Sequence, residues 1–365
     1  MRRALQQLVV GLALATVILI ESAGLVIADA DQFTRWGLAP NHAFGAADFD
    51  IIDLHNGNLH FERVLFNGQV DSGFGYQIKM VYNSTVWNWH QTSDRHSENA
   101  DGGEMRLGME SPVGMGFRLH MGRVYRIHGQ DEELWFFEDQ SGTPHRLRHQ
   151  DQDGQSYWWT KDSTFMRARK IKDAGDNLIG WELWKPDGTH YEMRHHVPIG
   201  NTFVPGFHGW YTSIIRSPIE PNSNWVEITY DAPNPACISQ ITDSIGRTTL
   251  FTNQADWDGT TVPGGLTRQV SLPAFGGLRA IYVFDYLISD VARPRNGPAL
   301  EVGTLLLDKI TFPGGAYQLG FGYVDPVRQE NLGAVAQITL PAGSRISYHW
   351  TVPDSGRVYI TRPSA

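Results

Sequence analysis

One spacing recurs along the second half of the chain and restricts its fold more than any other feature. An apolar residue is followed five positions later by glycine, and a segment bearing an aromatic residue comes next. The four copies are Leu183 with Gly188, Ile241 with Gly246, Ile310 with Gly315, and Ile338 with Gly343. Because glycine adopts positive φ at little cost, each copy predicts a β-hairpin. A single hairpin cannot bury its apolar face, so we expect the units to stack.

The composition agrees with a chain of many short strands. Aromatic residues make up 12% of the 365 residues, and 38 glycines and 19 prolines supply turns. Apolar and polar residues alternate over short runs such as 76–82 and 225–230. The sequence therefore predicts an all-β fold, an elongated antiparallel β-sheet of stacked hairpins. The Gly- and Pro-rich segment 256–298 separates two copies of the repeated unit and is expected to be an elaborated loop or edge hairpin.

The first thirty residues have the layout of a secretory signal peptide. Arg2 and Arg3 precede an apolar run at 8–20, and Ala28 and Ala30 occupy the small-residue positions of a cleavage site. We expect residues 1–30 to be removed and the protein to be exported, whether secreted, periplasmic or at the cell surface. No membrane span is expected after cleavage. An uncleaved anchor is the alternative, since apolar residues resume after Glu21.

The net charge argues against a nucleic-acid-binding protein, and the cysteine content excludes stabilisation by internal disulfides. The formal net charge of −9 argues against a nucleic-acid partner, because nucleic-acid binding requires clustered Lys and Arg. Cys237 is the sole cysteine, so it cannot form an internal disulfide. We expect it to be a small apolar residue rather than a catalytic nucleophile.

Five sequence blocks, in order, resemble the RHS/YD-repeat family. The blocks are 53–59 with 81–84, then 114–119, 186–193 and 241–247, and last the pair 310–315 and 338–343. The resemblance implies a spiralling or partly open β-shell, with an N-terminal region at 31–210 and degenerate repeat hairpins at 211–365. Shells of this family enclose a toxin or effector. This chain departs from the family in lacking a long Tyr-Asp repeat array and the core motif near the C-terminus, and Phe117 stands where a tryptophan is usual.

These observations favour a non-catalytic structural protein without a cofactor, which forms part of a β-shell that encloses or presents a toxin or effector or mediates an interaction at the cell surface. Its expected partners are a toxin or effector cargo or further RHS shell segments. The structural turns are expected at Gly57, Gly188, Gly246, Gly315 and Gly343, with Tyr82, Tyr191, Phe321 and Tyr348 packing behind them. We predict neither catalytic nor metal-binding residues.

A carbohydrate-binding envelope protein is the alternative, with a cell-surface glycan as partner. Trp158, Trp159, Trp181 and Trp184 are the candidate contacts, because flat aromatic faces suit sugar rings. Adjacent tryptophans point to opposite faces of a strand, and so do residues three apart. At least one member of each pair is therefore expected to face outward or into a cavity.

Two further possibilities are weaker. His190, Glu192 and His196 would share one face of a strand, with His195 and His208 nearby, and could approach a zinc ion. A β-rich hydrolase could use the carboxylates at 131–133, Asp151 and Asp153, but such runs are more often solvated turns.

Overall fold

A computed structural model describes most of the chain from residue 44 onward. The described residues are 44–46, 50–53, 58–70, 73–91, 103–107, 111–128, 133–152, 155–198, 209–219, 224–257, 260–292, 300–326, 329–351 and 362–363. Residues Trp36–Ala365 group into one compact unit. Among the described residues there is no α-helix, and consequently none that could span a membrane. The predicted antiparallel all-β fold is confirmed.

A five-stranded sheet begins the described fold. Its first four strands are Phe44–Ala46 (β1), Ile51–Asp53 (β2), Leu59–Gln69 (β3) and Gly75–Asn83 (β4). A separate hairpin follows, formed by Trp87–Gln91 (β5) and Gly103–Leu107 (β6). Strand Phe117–Arg118 (β7) then completes the sheet beside β4, giving the order β1-β2-β3-β4-β7.

The next eight strands close on themselves as a ring. They are Arg123–His128 (β8), Glu133–Glu138 (β9), Pro144–Gln152 (β10), Gln155–Thr160 (β11), Arg167–Lys172 (β12), Leu178–Trp184 (β13), His190–Val197 (β14) and Gly209–Arg216 (β15). Each pairs antiparallel with the next, and β15 returns to pair with β8. The first half of β15 makes that closing contact, whereas its second half pairs with the following strand.

The sheet continues beyond the ring from β15. Its further strands are Trp225–Tyr230 (β16), Ile238–Asp243 (β17), Thr248–Trp257 (β18), Thr260–Pro273 (β19), Arg279–Ala292 (β20), Leu300–Thr311 (β21), Gln318–Gly322 (β22), Gln337–Thr339 (β23) and Arg345–Ser347 (β24). Neighbours in this series pair antiparallel throughout. Trp350–Thr351 (β25) and Arg362–Pro363 (β26) form a separate pair.

Alternate hairpin turns lie along one edge of this continuous sheet, which we call the turn edge. It holds the turns at 139–143, 161–166, 185–189, 217–219, 243–247, 274–278, 312–317 and 340–344. The four recurrent glycines all lie here, with φ of 87° at Gly188, 85° at Gly246, 76° at Gly315 and 84° at Gly343. The apolar residue five positions before each glycine is fully buried. The repeated spacing thus marks an inward side chain followed by a left-handed turn.

The segment expected to be a loop or edge hairpin at 256–298 is instead mostly sheet, and this expectation was wrong. It forms β19 and β20, which pair with each other and with a strand on either side. Its described Gly and Pro residues lie near a strand irregularity, at 263–265, and at or beside the turn, at 273 and 276–277, while 266–272 and 280–288 have the apolar content of strands. The expected domain boundary at residue 210 falls within β15, a strand that pairs with β14 on one side and with β8 on the other.

A buried polar network joins the start of β3 to the end of β4. The Asn58 side-chain amide donates to Asn83 Oδ1 at 3.1 Å, and Asn58 Oδ1 accepts from the backbone N–H and the hydroxyl of Ser84 at 3.0 and 3.1 Å. The Leu59 N–H donates to Ser84 Oγ at 2.8 Å. Since Asn58 and Asn83 are fully buried, these bonds satisfy groups that would otherwise be costly to bury. The paired blocks 53–59 and 81–84 thus meet in space.

The turn glycines generate a stability prediction at Gly315. Its φ of 76° lies in the left-handed region, and a Cβ built there meets no atom within 4 Å. Gly315→Val should therefore destabilise the protein through backbone strain alone, by about 1–3 kcal/mol. Gly320→Ala is the control, because its Cβ would meet only Thr339 at an ordinary 3.6 Å and its φ is not positive. Urea unfolding measures both; an unchanged midpoint for Gly315→Val would contradict the placement.

Candidate functional site

The closure of the ring is the most unusual feature of the described fold. Arg123 and Val124 of β8 pair with Tyr211 and Trp210 of β15. The Thr212 N–H and hydroxyl both donate to the Gly122 carbonyl, at 3.1 and 2.8 Å. Gly122 itself has φ of 99°, a conformation that favours glycine. One short segment of backbone therefore joins two strands that are 88 residues apart.

A buried carboxylate lies beside this closure and binds two arginines. Glu138, at the end of β9, is completely buried. Its Oε1 accepts from Arg118 Nε at 2.9 Å, and its Oε2 accepts from Arg123 Nε and Nη2 at 2.8 and 2.5 Å. His120 Nε2 adds a contact of 3.3 Å to Oε1. Glu138 thus connects the five-stranded sheet, through β7, to the strand that closes the ring.

The electrostatics of this buried cluster are consistent with its geometry. Burial alone would raise the pKa of Glu138, but the charges of Arg123 and Arg118 outweigh burial and hold that pKa well below its usual range. Burial lowers the pKa of His120, and its Nδ1 accepts the Gly122 N–H at 2.9 Å. His120 is therefore neutral and donates through Nε2. The second positive charge is balanced partly by aromatic rings, since Arg123 Cζ lies 4.8 Å from the Tyr125 ring centroid and 5.7 Å from that of Tyr211.

The cluster resembles a catalytic site in composition but not in accessibility. A general base needs a free lone pair that can reach a substrate proton. Both Glu138 oxygens already accept from cations, and Glu138, Arg118, Arg123 and His120 are all buried. The arrangement is suited to fixing strand positions rather than to proton transfer.

Removing the carboxylate charge should be strongly destabilising. Glu138→Gln keeps the shape but removes the negative charge that accepts from the buried guanidiniums of Arg118 and Arg123, so we expect a loss of about 3–5 kcal/mol in the free energy of unfolding. Asp176→Asn is the matched control, because it removes the exposed ion pair with Lys172 at 2.8 Å and should cost no more than about 1 kcal/mol. Chemical denaturation measures both. Equal losses for the two variants would contradict the role assigned to Glu138.

A second ionic cluster, centred on the buried His145, joins two neighbouring turns of the turn edge. His145 Nδ1 donates to Asp162 Oδ2 at 2.5 Å, and Nε2 lies 3.5 Å from Asp139 Oδ2. Burial disfavours the charged imidazole, but hydrogen bonds to the two aspartates and their negative charges outweigh it and raise the pKa of His145 to about 9. His145 is therefore a cation at neutral pH. Both of its nitrogens are engaged, so neither can bind a metal ion or act as a base.

This cluster predicts a pH dependence of stability. The pKa of His145 is about 9 in the folded protein and 6.5 ordinarily. Its stabilisation should be complete below pH 6.5 and lost as the pH rises through 9, by up to about 3 kcal/mol. The difference in unfolding free energy between the wild type and His145→Gln should therefore shrink over that range.

Exposed His149 provides the control for this measurement. His149→Gln alters an imidazole on the same strand, β10, outside the cluster. This variant measures what the loss of an imidazole from β10 does to stability apart from the cluster. A His145→Gln difference that stays constant between pH 6.5 and 9 would contradict a charged His145 in the folded state.

Two of the four candidate tryptophans face the interior of the ring. Trp181 is fully buried, and its ring centroid lies 4.9 Å from that of Trp135 and 5.8 Å from that of Trp158. Since Trp135 and Trp181 belong to β9 and β13, which are not neighbours in the ring, they meet across its interior. Lys170 Nζ lies 4.7 Å from the Trp135 and Trp158 centroids and 5.5 Å from that of Trp181. The rings therefore surround the chain's own lysine.

The other two tryptophans lie on the outer face, as expected for members of each pair. Trp184 stacks on His190 at 4.8 Å with an interplanar angle of 9°, and Arg167 Cζ lies 4.9 Å from its centroid. These residues belong to a row of directly paired cationic and aromatic residues that crosses seven strands. The row is Arg148, Trp159, Arg167, Trp184, His190, Arg216 and Trp225. His190 and Arg167 both lie against the ring of Trp184, so less of the ring surface is available to stack on a sugar.

The histidines considered for a metal ion do not converge in the described part of the chain. Glu192 accepts from Arg216 Nε at 2.9 Å, and His196 stacks on Trp210 at 4.3 Å. His195 Nε2 donates to the Pro235 carbonyl at 2.6 Å. No group of three or more His, Cys, Asp or Glu residues that could hold a metal ion occurs among the described residues. His208 lies outside them.

The remaining candidates are Cys237, Gly57, the acidic residues proposed for a hydrolase and the four packing aromatic residues. Burial raises the pKa of the Cys237 thiol to about 12, so it is protonated at neutral pH and unreactive. Gly57 and the acidic residues 131–132 and 153 lie outside the described residues, and nothing is described of the side chains of Glu133 and Asp151. Tyr82, Tyr191, Phe321 and Tyr348 are all buried.

The two ionic clusters were not anticipated from the sequence. Each brings together residues from separate strands, so no short motif contains them. A partial signal exists in the alternation Arg118, His120, Gly122, where polar residues occupy an otherwise apolar stretch. Buried polar residues in such a stretch require partners, but the identity of the partner depends on strand pairing.

No family model matches the sequence, and no curated protein matches it. Among solved structures, the Tc holotoxin pore of Photorhabdus luminescens, a TccC3 D651A mutant, matches with 13% identity and a TM-score of 0.43 over 80% of this chain. This chain covers 16% of that one. The N-terminal domain of the effector protein SpvB from Salmonella typhimurium strain LT2 matches with 12% identity and a TM-score of 0.32, over 79% of this chain and 100% of the other. Both TM-scores are below 0.5, so neither likeness assigns a family.

Proposed function

We propose that the chain is a non-catalytic structural protein, a section of a β-wall that encloses or presents a toxin or effector polypeptide. The observation that carries this proposal is the uninterrupted antiparallel pairing from β8 to β24. A continuous hydrogen-bonded sheet of short hairpins forms a broad and rigid surface, as a wall requires, rather than a cleft for a substrate. The ordered sequence blocks that resemble RHS/YD-repeat shells point the same way.

The ionisable groups of the two buried clusters support a structural role. Glu138 is neutralised by arginines, and His145 is held between two aspartates. In an active site, the environment commonly poises such groups to exchange protons with a substrate. Here the same environment saturates their hydrogen-bonding capacity, and the shifted pKa values report structural ion pairs.

Protection of a partner polypeptide tests the proposal directly. The chain is co-expressed with the products of adjacent reading frames, and any polypeptide that copurifies is treated with proteinase K. We expect a partner to copurify and to resist digestion while the chain is folded. Heating the Glu138→Gln complex to a temperature between the melting points of variant and wild type should expose the partner. The wild-type and Asp176→Asn complexes should protect it at that temperature.

Two results would contradict the wall proposal. One is the absence of any copurifying polypeptide, and the other is digestion of the partner at the same rate whether or not the chain is folded. Glycan binding that is abolished by Trp184→Ala would favour the carbohydrate-binding alternative. Hydrolysis of a glycan that is lost on substitution of one Asp or Glu would favour an enzyme.

A further inference from the structure

The last three turns of the turn edge differ from the others in charge. The turns at 139–143, 161–166, 185–189 and 243–247 contain charged residues, and the connection from β15 to β16 contains Glu220, whereas the turns at 274–278, 312–317 and 340–344 contain none. We call these three turns the neutral tips. The strand segments adjoining them are also poor in charge. Residues 269–284, 310–324 and 331–348 contain no Asp or Glu, although the whole chain carries 39.

Two of the neutral tips, those at 274–278 and 312–317, present large apolar side chains to solvent. Phe275 is 97% exposed, Leu278 71% and Tyr317 61%. Behind Phe275 and Leu278, Leu250 and Ile281 are also exposed on one face, since both pair with Ser271. Large apolar residues grouped in this way on a surface generally mark a contact site.

The glycines of all three neutral tips have open space around them, as does Gly246 in the turn at 243–247. Ideal Cβ atoms built at the glycines of all three turns meet no other residue within 4 Å; the glycines are Gly276, Gly277, Gly314, Gly315 and Gly343. The turns belong to consecutive hairpins of one sheet, so neighbouring turns lie two strands, or about 10 Å, apart. Tyr282 and Phe312 contact each other edge to face at 5.5 Å and connect the first two hairpins. The result is a row of free-standing apolar tips rather than a groove.

The charge immediately behind the tips is positive. Arg279 and Arg345 are the first residues of β20 and β24, and both are exposed. They are the only Lys or Arg residues in the three acid-free segments. Although the whole chain has a net charge of −9, this region combines apolar turns with two arginines at the adjoining strand ends. Apolar and aromatic tips backed by basic residues suit the interface of a bilayer that contains anionic lipids.

We propose that the neutral tips dock on the interfacial layer of an anionic phospholipid bilayer, with Phe275, Leu278 and Tyr317 entering the headgroup region. Arg345 contacts the lipid phosphates, and Arg279, whose guanidinium donates to Ser271 and to the Thr248 carbonyl, adds positive charge near them. Protruding tips need no complementary pocket in a partner, because a fluid bilayer adapts to them. The surface is independent of the wall proposal, since it involves neither ionic cluster nor the ring interior.

Vesicle flotation tests this inference with the purified mature chain, residues 31–365, because the apolar run at 8–20 would bind a bilayer by itself. The wild type should float with vesicles of phosphatidylcholine mixed with phosphatidylglycerol and bind pure phosphatidylcholine more weakly. The double variant Phe275→Ser, Leu278→Ser should lower the partition coefficient by at least about tenfold, because two large apolar side chains no longer leave water. Arg345→Gln should lower binding to the anionic vesicles about fivefold and leave binding to pure phosphatidylcholine unchanged.

Phe165→Ser is the matched control. Phe165 is 70% exposed on the same turn edge, but its turn contains Lys161 and Asp162. This variant should bind vesicles like the wild type, and thermal melting verifies that every variant is folded. A wild-type chain that does not float, or a double variant that floats equally well, overturns the proposal. It is also overturned if light scattering shows a wild-type dimer that does not bind vesicles and that the double substitution dissociates, since the tips would then contact a second copy.

Discussion

The pairing of β8 with β15 is the contact on which the rest of the described structure depends. Without it, β8 and the first half of β15 would each present an unpaired edge, and such edges are templates for aggregation. Gly122 makes the approach possible, because its left-handed conformation lets its carbonyl accept two hydrogen bonds from Thr212. The Glu138 cluster then fixes the same point with charge-assisted hydrogen bonds. Such bonds are stronger and more directional than neutral ones.

Placing these charges in the interior has a cost as well as a benefit. Taking Glu138 and two arginines out of water is expensive, and an apolar core of equal volume could be more stable. Charged groups, however, tolerate few arrangements, so they discriminate between strand registers that apolar residues would accept. In an antiparallel sheet built of similar hairpins, neighbouring registers are close competitors. We interpret the buried ions as a device that selects one register at the point where the ring must close.

The turn edge shows how one local rule supports different surfaces. Each hairpin needs an inward apolar residue and a turn of positive φ, but the exposed residues of the turn remain unconstrained. In the ring, this freedom is used for polar contacts, such as the His145 cluster between the turns at 139–143 and 161–166. Beyond the ring, the same positions carry Phe275, Leu278 and Tyr317. The residues that fold each hairpin are therefore different from the exposed residues that set the chemistry of this edge.

The sequence by itself determined the antiparallel β class and the left-handed hairpin turns at Gly188, Gly246, Gly315 and Gly343. These features depend on residues within a few positions of one another, where the period of two and the conformational freedom of glycine act directly. It also separated Trp181 from Trp184 by face. The Gly- and Pro-rich composition of 256–298 was misleading, because pairing with β18 and β21 overrode local propensity.

Only the tertiary structure decided which strand meets β8, which cations surround Glu138 and which aspartates hold His145. These contacts join residues far apart in the chain, and many registers satisfy the same alternation of apolar and polar residues. Their selection depends on the summed energy of a whole sheet closing on itself. No local pattern contains that sum.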